Sequence, residues 1–337
     1  MEDARTSAKG AELAPLTNQV AGHAGGVQSL EGGRLVIKDC LPRELQFYEQ
    51  VKQAVAGKAA LDSRQARLLE RLLKVMPECL GSWQDYIGRQ SGSTLSTNGR
   101  DERPRIVMEN LTFGYEKPNV CDIKLGTQLW DEEASEEKRQ RMEKAAASTT
   151  SGSHGIRLTG WQTFDAESQS YHSIPKTFGK TIKPEHLELG MRMVLACPED
   201  GDAQQAEKAL KGSSMDGRRL PSLPTELVAR MLRDHILNDL DEIHAIFSEV
   251  QVRMRGASLL IVYEGEAGHL RQSLSADKSE ISKGRRPQVR LIDFAHATLV
   301  DDQGPDQGAD QGVLLGLSTM LDLARRQLER LEQIKAP

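Results

Sequence analysis

Along the 337-residue chain the spacing of apolar positions changes period repeatedly. "RLVIK" (34–38) leaves Gly32-Gly33 as an alternating run, which predicts a hairpin turn feeding a strand that ends on Lys38. In "PRELQFYEQVKQAV" the apolar positions Leu45, Tyr48, Val51 and Val55 recur at helical spacing behind Pro42, a favourable helix start. "RLLERLLKVMP" is a second amphipathic helix, stopped by Pro77, and "RIVMENLT" (105–112) is a short strand running into a polar break. A further strand, "NVCDIKLGTQLW" (119–130), breaks at Gly126. "DEEASEEKRQRMEKAAAST" predicts a helix capped by Ser135, with Glu136 and Glu137 in the first turn and Lys144 in the last.

"GIRLTGWQTF" (155–164) is another strand, residues 199–222 a loop, and a long helical pattern runs from about Pro224 to Gly256. "SLLIVYEG" and "VRLIDFAH" are strands separated by a polar segment, 266–287. A low-complexity loop, "DDQGPDQGADQG", precedes a closing helix, "LGLSTMLDLARRQLERLEQI", and residues 1–17 are expected to be flexible. Strands with a helix, a connection near 109–118, and then a mixed remainder suit a two-lobed α+β protein better than an alternating βαβ sheet. The expected lobes are 18–110 and 111–337.

Composition narrows the function classes. Charged residues reach 28% and the formal net charge is −5, so a direct nucleic-acid binder is disfavoured, whereas a small anionic ligand needs only a local positive pocket. No apolar stretch approaches the ~20 residues of a membrane span, and no secretory signal opens the chain. Cys40, Cys79, Cys121 and Cys197 form no CxxC motif, which suggests reduced thiols in an intracellular protein.

The charged positions inside apolar strands are the candidates for chemistry. Asp122 and Lys124 are two apart and so share a strand face, about 6–7 Å from each other. Asp293 ends a strongly apolar strand, where an ionised carboxylate is costly without a partner, and Mg²⁺ held with substrate phosphates is a natural one. His296 lies three residues on. Lys38 ends its strand with Glu44 on the next element, the arrangement by which kinase-like folds orient nucleotide phosphates. Generic nucleotide signatures fail: the first glycine of a P-loop ending at Gly179-Lys180-Thr181 is replaced by Ile174, and neither GxGxxG nor an HRD catalytic loop is present.

Taken in order, these residues resemble a known family. "PNVCDIKLG" (118–126) fits the P-x-x-x-D-x-K-x-G signature of the inositol polyphosphate kinases, "SLLIVYEG" is similar to that family's S-S-L-L segment and "IDFAHA" to its I-D-F segment. "NQVAGH", "ASEEKRQRM", "TTSGSHGIRLTGWQ", "YHSIPKTFGKTI" and "GVLLGL" agree as well, so the likeness runs from about 18 to 330 and is nearest to the fungal multikinases. Ala257 stands where the family usually has the first serine of its pair.

The resemblance implies an ATP-grasp-related, protein-kinase-like body of two lobes with a small helical inositol-binding segment, about 131–185, and with ATP between the lobes. It implies that Lys38 holds ATP phosphates and Glu44 orients it, that Glu109 and Leu111 give backbone hydrogen bonds to adenine, and that Asp122 accepts from the ribose hydroxyls. Lys124 would reach the transferred phosphate and the inositol hydroxyl, Asp293 would bind Mg²⁺ with help from Ser258, and His296 and Gln162 would line the inositol side. Lys138, Arg141 and Lys144 on one helical stripe, and Lys176, Lys180 and Lys183 near Tyr171-His172, are the basic clusters expected to bind inositol polyphosphates.

The activity implied is phosphorylation of inositol tris- and tetrakisphosphates toward the pentakisphosphate, in nucleus and cytoplasm. A hexakisphosphate kinase making pyrophosphates, a non-catalytic scaffold with protein partners in transcription control, and a kinase of phosphoinositide headgroups are the alternatives.

Overall fold

Short alternating strands build two antiparallel five-stranded sheets. The computed structural model describes residues 13–16, 20, 26–57, 63–91, 104–174, 176–197, 221–275, 285–300 and 308–335. The first sheet has the order β1 (Ala14–Pro15), β2 (Val27–Leu30), β3 (Leu35–Asp39), β5 (Arg105–Glu109), β4 (Cys79–Ser82). The second has the order β11 (Gln288–Ile292), β10 (Ser258–Glu264), β6 (Pro118–Leu125), β7 (Ile156–Asp165), β8 (Ser170–Ile174). A separate pair joins β9 (Val252–Met254) to β12 (Ala297–Leu299).

Period-2 alternation in β3 decides what each face carries. Leu35 and Ile37 pack with Trp83 and Tyr86 of α3 (Trp83–Ser91) in a small outer core. Val36 and Lys38 point the other way, into a cleft between the sheets. The helices α1 (Pro42–Val55) and α2 (Ser63–Val75) bury Phe47, Tyr48, Val51, Leu68, Leu69 and Leu72 in the main core, which extends without a break into the second lobe. There Phe47 stacks on Phe294 with ring centroids 5.3 Å apart. Arg71 of α2 grips Glu242 through two hydrogen bonds of 2.8 Å each.

The second lobe adds α4 (Glu136–Ala147), α5 (Thr150–His154), α6 (Lys176–Gly179), α7 (Leu187–Val194) and α8 (Thr225–Met231). α8 runs through a π-helical turn, Leu232–Ile236, into α9 (Leu237–Phe247), and α10 (Ala267–Ser275) and α11 (Gln311–Lys335) follow. Ser135 caps α4, its Oγ accepting from the Lys138 amide at 3.3 Å, as its sequence predicts.

Several boundaries differ from expectation. Ala14 and Pro15, inside the stretch expected to be flexible, pair with Gln28 and Ser29 on the sheet edge. The helical pattern expected to reach Gly256 ends at Phe247, because Gln65 of α2 takes the Gln251 amide at 3.1 Å and donates to the Glu249 carbonyl at 3.1 Å, releasing Val252–Met254 as a strand. The polar segment 266–287 contains α10, and the stretch 131–185 holds two strands of the sheet besides its helices. The 1–12, 198–220, 276–284 and 301–307 portions of the expected tail and loops lie outside the described residues, as does most of "NQVAGH".

Gly179 fixes α6 on β7: a Cβ there would sit 1.8 Å from the Leu158 carbonyl oxygen. Gly179→Ala is expected to cost more than about 3 kcal/mol, measured by urea unfolding, since only a backbone shift relieves that clash.

Candidate active site

The cleft between the sheets holds a cavity of about 960 Å³, lined by Val36, Met108, Leu111, Val120, Leu260 and Ile292 together with Lys38, Glu109, Asp122, Asp293 and His296. Its walls are thus apolar in the middle and charged at one end.

The charged end centres on Lys38. Its Nζ lies 2.8 Å from Glu44 Oε1 and 3.1 Å from Asp293 Oδ1. Glu44 comes from the first turn of α1, where Leu41 and Pro42 start the helix, and is 2% exposed. Burial works to lower the Lys38 pKa, but Asp293 and Glu44 outweigh it and hold the ammonium charged. For Glu44 burial wins over Lys38 and pushes the carboxyl upward. The two directions oppose each other; the 2.8 Å contact to a permanently charged ammonium decides for an ionised Glu44.

Asp293 follows β11 with φ of +65°, a left-handed conformation that costs a β-carbon residue on the order of 1 kcal/mol. That turn swings its carboxylate into the cleft, where the side chain stays 42% exposed. Burial raises its pKa, while Lys38 and Lys124 more than offset this, so the group stays below the usual range.

Asp122 and Lys124 lie on β6 opposite Leu260 and Ser258. Lys124 Nζ donates to the Gly256 carbonyl at 2.5 Å. Gly126 ends the strand at φ +96°, and its amide donates to the Gly155 carbonyl at 2.7 Å, so the break after the signature is a real change of direction. Asp122 is pushed up to about 6 by burial, with Asp293 adding to the effect and Lys124 opposing it. Ser258, fully buried, is close enough to favour the ionised form. Even so, neither Ser258 Oγ nor Asp122 Oδ1 reaches hydrogen-bond geometry with a partner among the described residues.

The connection between the lobes is braced. Glu109 accepts from Arg285 Nη1 at 2.7 Å through its carboxylate, and its amide donates to the Glu78 carbonyl at 2.8 Å. The Leu111 carbonyl accepts from Gln288 Nε2 at 3.1 Å. Buried Glu264 accepts from the amides of Glu116 and Lys117 at 2.7 and 2.9 Å.

The structure does not bring every expected residue to the cleft. Lys38, Glu44, Glu109, Leu111, Asp122, Asp293 and His296 all line it, whereas Lys124 is outside the lining, its ammonium bound to the Gly256 carbonyl while its charge acts on Asp122 and Asp293. Gln162 does not line it either: it is buried on β7, with Nε2 3.5 Å from the Pro118 carbonyl. Ser258 sits under the surface rather than in the cavity. Arg141, Lys176 and Lys180 are exposed outside the lining, whereas Lys138 is half-buried and its charge acts on Asp131 and His296. Sequence reasoning missed Arg157, which pairs across the strands with Lys124 and is half-buried, so that burial lowers its pKa against the pull of Asp122. Period-2 reading of "IRLTG" against "DIKLG" was the signal available. It also missed Arg43 and Asp131, which meet at 2.7 Å beside His296.

The donor set fits a divalent cation brought in with nucleotide phosphates. The Asp293 carboxylate faces the cleft, and Asp122, which also lines it, has one carboxylate oxygen without a partner among the described residues; Ser258 Oγ, beneath the surface, does not belong to this set. Among those residues no group of three or more His, Cys, Asp or Glu side chains could hold a metal alone.

A lysine salt-bridged to a helix glutamate, facing a strand-end aspartate across an interlobe cleft, defines a two-lobed kinase. The chain belongs to the inositol polyphosphate kinase family, whose family model matches residues 105–325. It is 26% identical to the inositol polyphosphate multikinase of Saccharomyces cerevisiae over 376 residues, covering 91% of this chain and 96% of that one. It is 26% identical to that of Schizosaccharomyces pombe over 287 residues, 83% of this chain and 86% of the other. Inositol hexakisphosphate kinase 3 of Mus musculus is 28% identical over 233 residues, but the match spans 51% of that protein. The crystal structure of the S. cerevisiae inositol phosphate multikinase in complex with ADP and Mn²⁺ superposes with a TM-score of 0.60 at 26% identity, over 88% of this chain and all of that one.

Ionised Asp122 is a cost to the empty protein. Its contribution to stability is fully present below the unfolded carboxylate range and is lost as pH rises through about 6. Asp122→Asn is therefore expected to melt with wild type near pH 4 and to gain ~2 kcal/mol over it at pH 7.5, read from denaturant unfolding without nucleotide.

Proposed function

We propose that the chain is an inositol polyphosphate multikinase that moves the γ-phosphoryl group of ATP onto inositol tris- and tetrakisphosphates, toward the pentakisphosphate. The observation that carries this reading is the convergence of Lys38, Asp122 and Asp293, from distant parts of the chain, on one cleft, with Lys124 close enough for its charge to act on both aspartates. The multikinase reading is favoured over hexakisphosphate kinase by the share of chain matched: 91% and 83% against the two yeast multikinases, 67% against the mouse hexakisphosphate kinase.

The proposed roles follow from position. The apolar walls, Val36, Met108, Leu111 and Leu260, enclose the adenine, with Glu109 and Leu111 offering main-chain groups at the connection. Asp122 takes the ribose hydroxyls. Lys38 neutralises the phosphates, held in place by Glu44. Asp293 would hold Mg²⁺, which would supply positive charge against the nucleotide phosphates. Lys124 gives up the Gly256 carbonyl to reach the transferred group. His296, Lys138 and Arg157 bind the inositol phosphate, with Lys176 and Lys180 drawing the anion in from outside.

Phosphoryl transfer passes through a loose transition state, so positioning and neutralised charge account for most of the catalysis. The nucleus and cytoplasm are the proposed sites of action, and phosphoinositide headgroups a second substrate class worth assay.

Lys124→Ala is expected to lower turnover at least about 100-fold at saturating ATP with the fold intact by circular dichroism, because a charge contact to the transferred group is lost. Lys176→Ala combined with Lys180→Ala is expected to raise KM for inositol trisphosphate several-fold and leave KM for ATP alone; an effect confined to ATP would remove these lysines from the substrate path. Chromatography of products from inositol trisphosphate, ATP and Mg²⁺ tests the reaction itself, and a pyrophosphate product from hexakisphosphate would reverse the choice between the two readings.

A further inference from the structure

His296 does not face the cleft as a free side chain. Its Nδ1 lies against Asp131 Oδ2 in an ion-pair contact, and the same oxygen accepts a hydrogen bond from Arg43 Nη1 at 2.7 Å. Asp131 is 6% exposed. Both ends of this arrangement are fixed by the backbone. The Ala134 amide donates to the Asp131 carbonyl at 3.0 Å, the Trp130 carbonyl accepts from Gln128 Nε2 at 3.0 Å, and the Arg139 guanidinium lies 4.2 Å above the Trp130 ring. On the other side the Arg255 amide donates to the His296 carbonyl at 3.2 Å, and Phe294 is stacked on Phe47. Nδ1 does not reach hydrogen-bond geometry with Asp131, but a bare ring nitrogen against a carboxylate oxygen would set two lone pairs against each other. A proton on Nδ1 removes that repulsion and leaves the lone pair of a neutral imidazole on Nε2, the other ring nitrogen of a side chain that lines the cleft.

We propose that Asp131 is a positioning residue: it sets the tautomer and orientation of His296 so that Nε2 accepts a hydrogen bond from the hydroxyl of the inositol phosphate that receives the phosphoryl group. This rests on the reading that His296 lies on the acceptor side of the cleft. Three charged groups face the ring: Asp131 from the segment before α4, Lys138 from α4 and Arg43 from α1. Burial lowers the ring's pKa, Lys138 and Arg43 act in the same direction, and Asp131 opposes them without overturning the result. The ring is therefore neutral at neutral pH, as an acceptor requires. Arg43 gives the arrangement a second consequence. It belongs to the first turn of α1, next to Glu44, so one carboxylate ties the acceptor-side histidine to the helix that holds Lys38.

The test is a double-mutant cycle with inositol trisphosphate as the varied substrate. His296→Ala and Asp131→Asn are each expected to lower kcat/KM for inositol trisphosphate about 10-fold or more, with KM for ATP within about 2-fold of wild type, as for other residues that orient a catalytic-site histidine. The double variant is expected to fall within about 2-fold of His296→Ala alone, because Asp131 acts through the ring. Effects that multiply in the double variant would make Asp131 a structural residue and overturn the proposal. A normal His296→Ala would overturn the acceptor-side reading of His296 itself and the proposal with it. A defective His296→Ala beside a normal Asp131→Asn would overturn the proposal alone. If Asp131→Asn does not fold, ¹⁵N NMR of the wild-type imidazole decides: a proton on Nδ1 and a bare Nε2 at pH 7.5 are expected, and the opposite tautomer would overturn it.

Discussion

One ammonium group between two carboxylates holds the molecule's working geometry. Lys38 arrives on a strand of the first lobe, Glu44 on the helix that follows, and Asp293 on a strand end of the second lobe. Lys38 and Glu44 are largely removed from water and tolerable there only when paired, and Asp293 at the open side completes the pairing, so the three groups specify each other's positions. The pairing demands that α1 dock against the second lobe, and the stack of Phe47 on Phe294, one residue from Asp293, supplies the apolar contact that brings it there. Packing and electrostatics therefore select the same arrangement.

Around this centre the cleft is built for a ligand that is apolar at one end and anionic at the other. Asp122 is the element that makes least sense without such a ligand. Burial drives its pKa up and leaves one of its oxygens without a partner among the described residues, which is a stability cost that groups bound in the cleft would offset. The left-handed turn at Asp293 is a similar local cost accepted for the sake of where a carboxylate points.

Much of this was legible in the chain. Strand period and the placement of charge inside apolar runs located Lys38, Asp122, Lys124 and Asp293, and Pro42 marked the start of α1 to the residue. What stayed hidden depends on contacts between distant segments. β4 is four residues long with a register shift between Cys79 and Gly81, too short and irregular to show alternation. The end of α9 is set by the Gln65 side chain of another helix. Gln162 looked like a site residue by family position, yet its amide is buried against the Pro118 carbonyl. Asp131 sits in a run of acids with no distinguishing period, and only the fold puts His296 and Arg43 beside it.

The unbroken core has a consequence for how the protein comes apart. Because α1 and α2 bury Phe47, Val51, Leu69 and Leu72 among second-lobe side chains, the first lobe lacks an interior of its own on that face. Heat would therefore be absorbed in one cooperative transition, not two. A fragment cut off near residue 110 would leave those side chains in water and aggregate, so the boundary seen between the sheets is a boundary of function and not of independent folding.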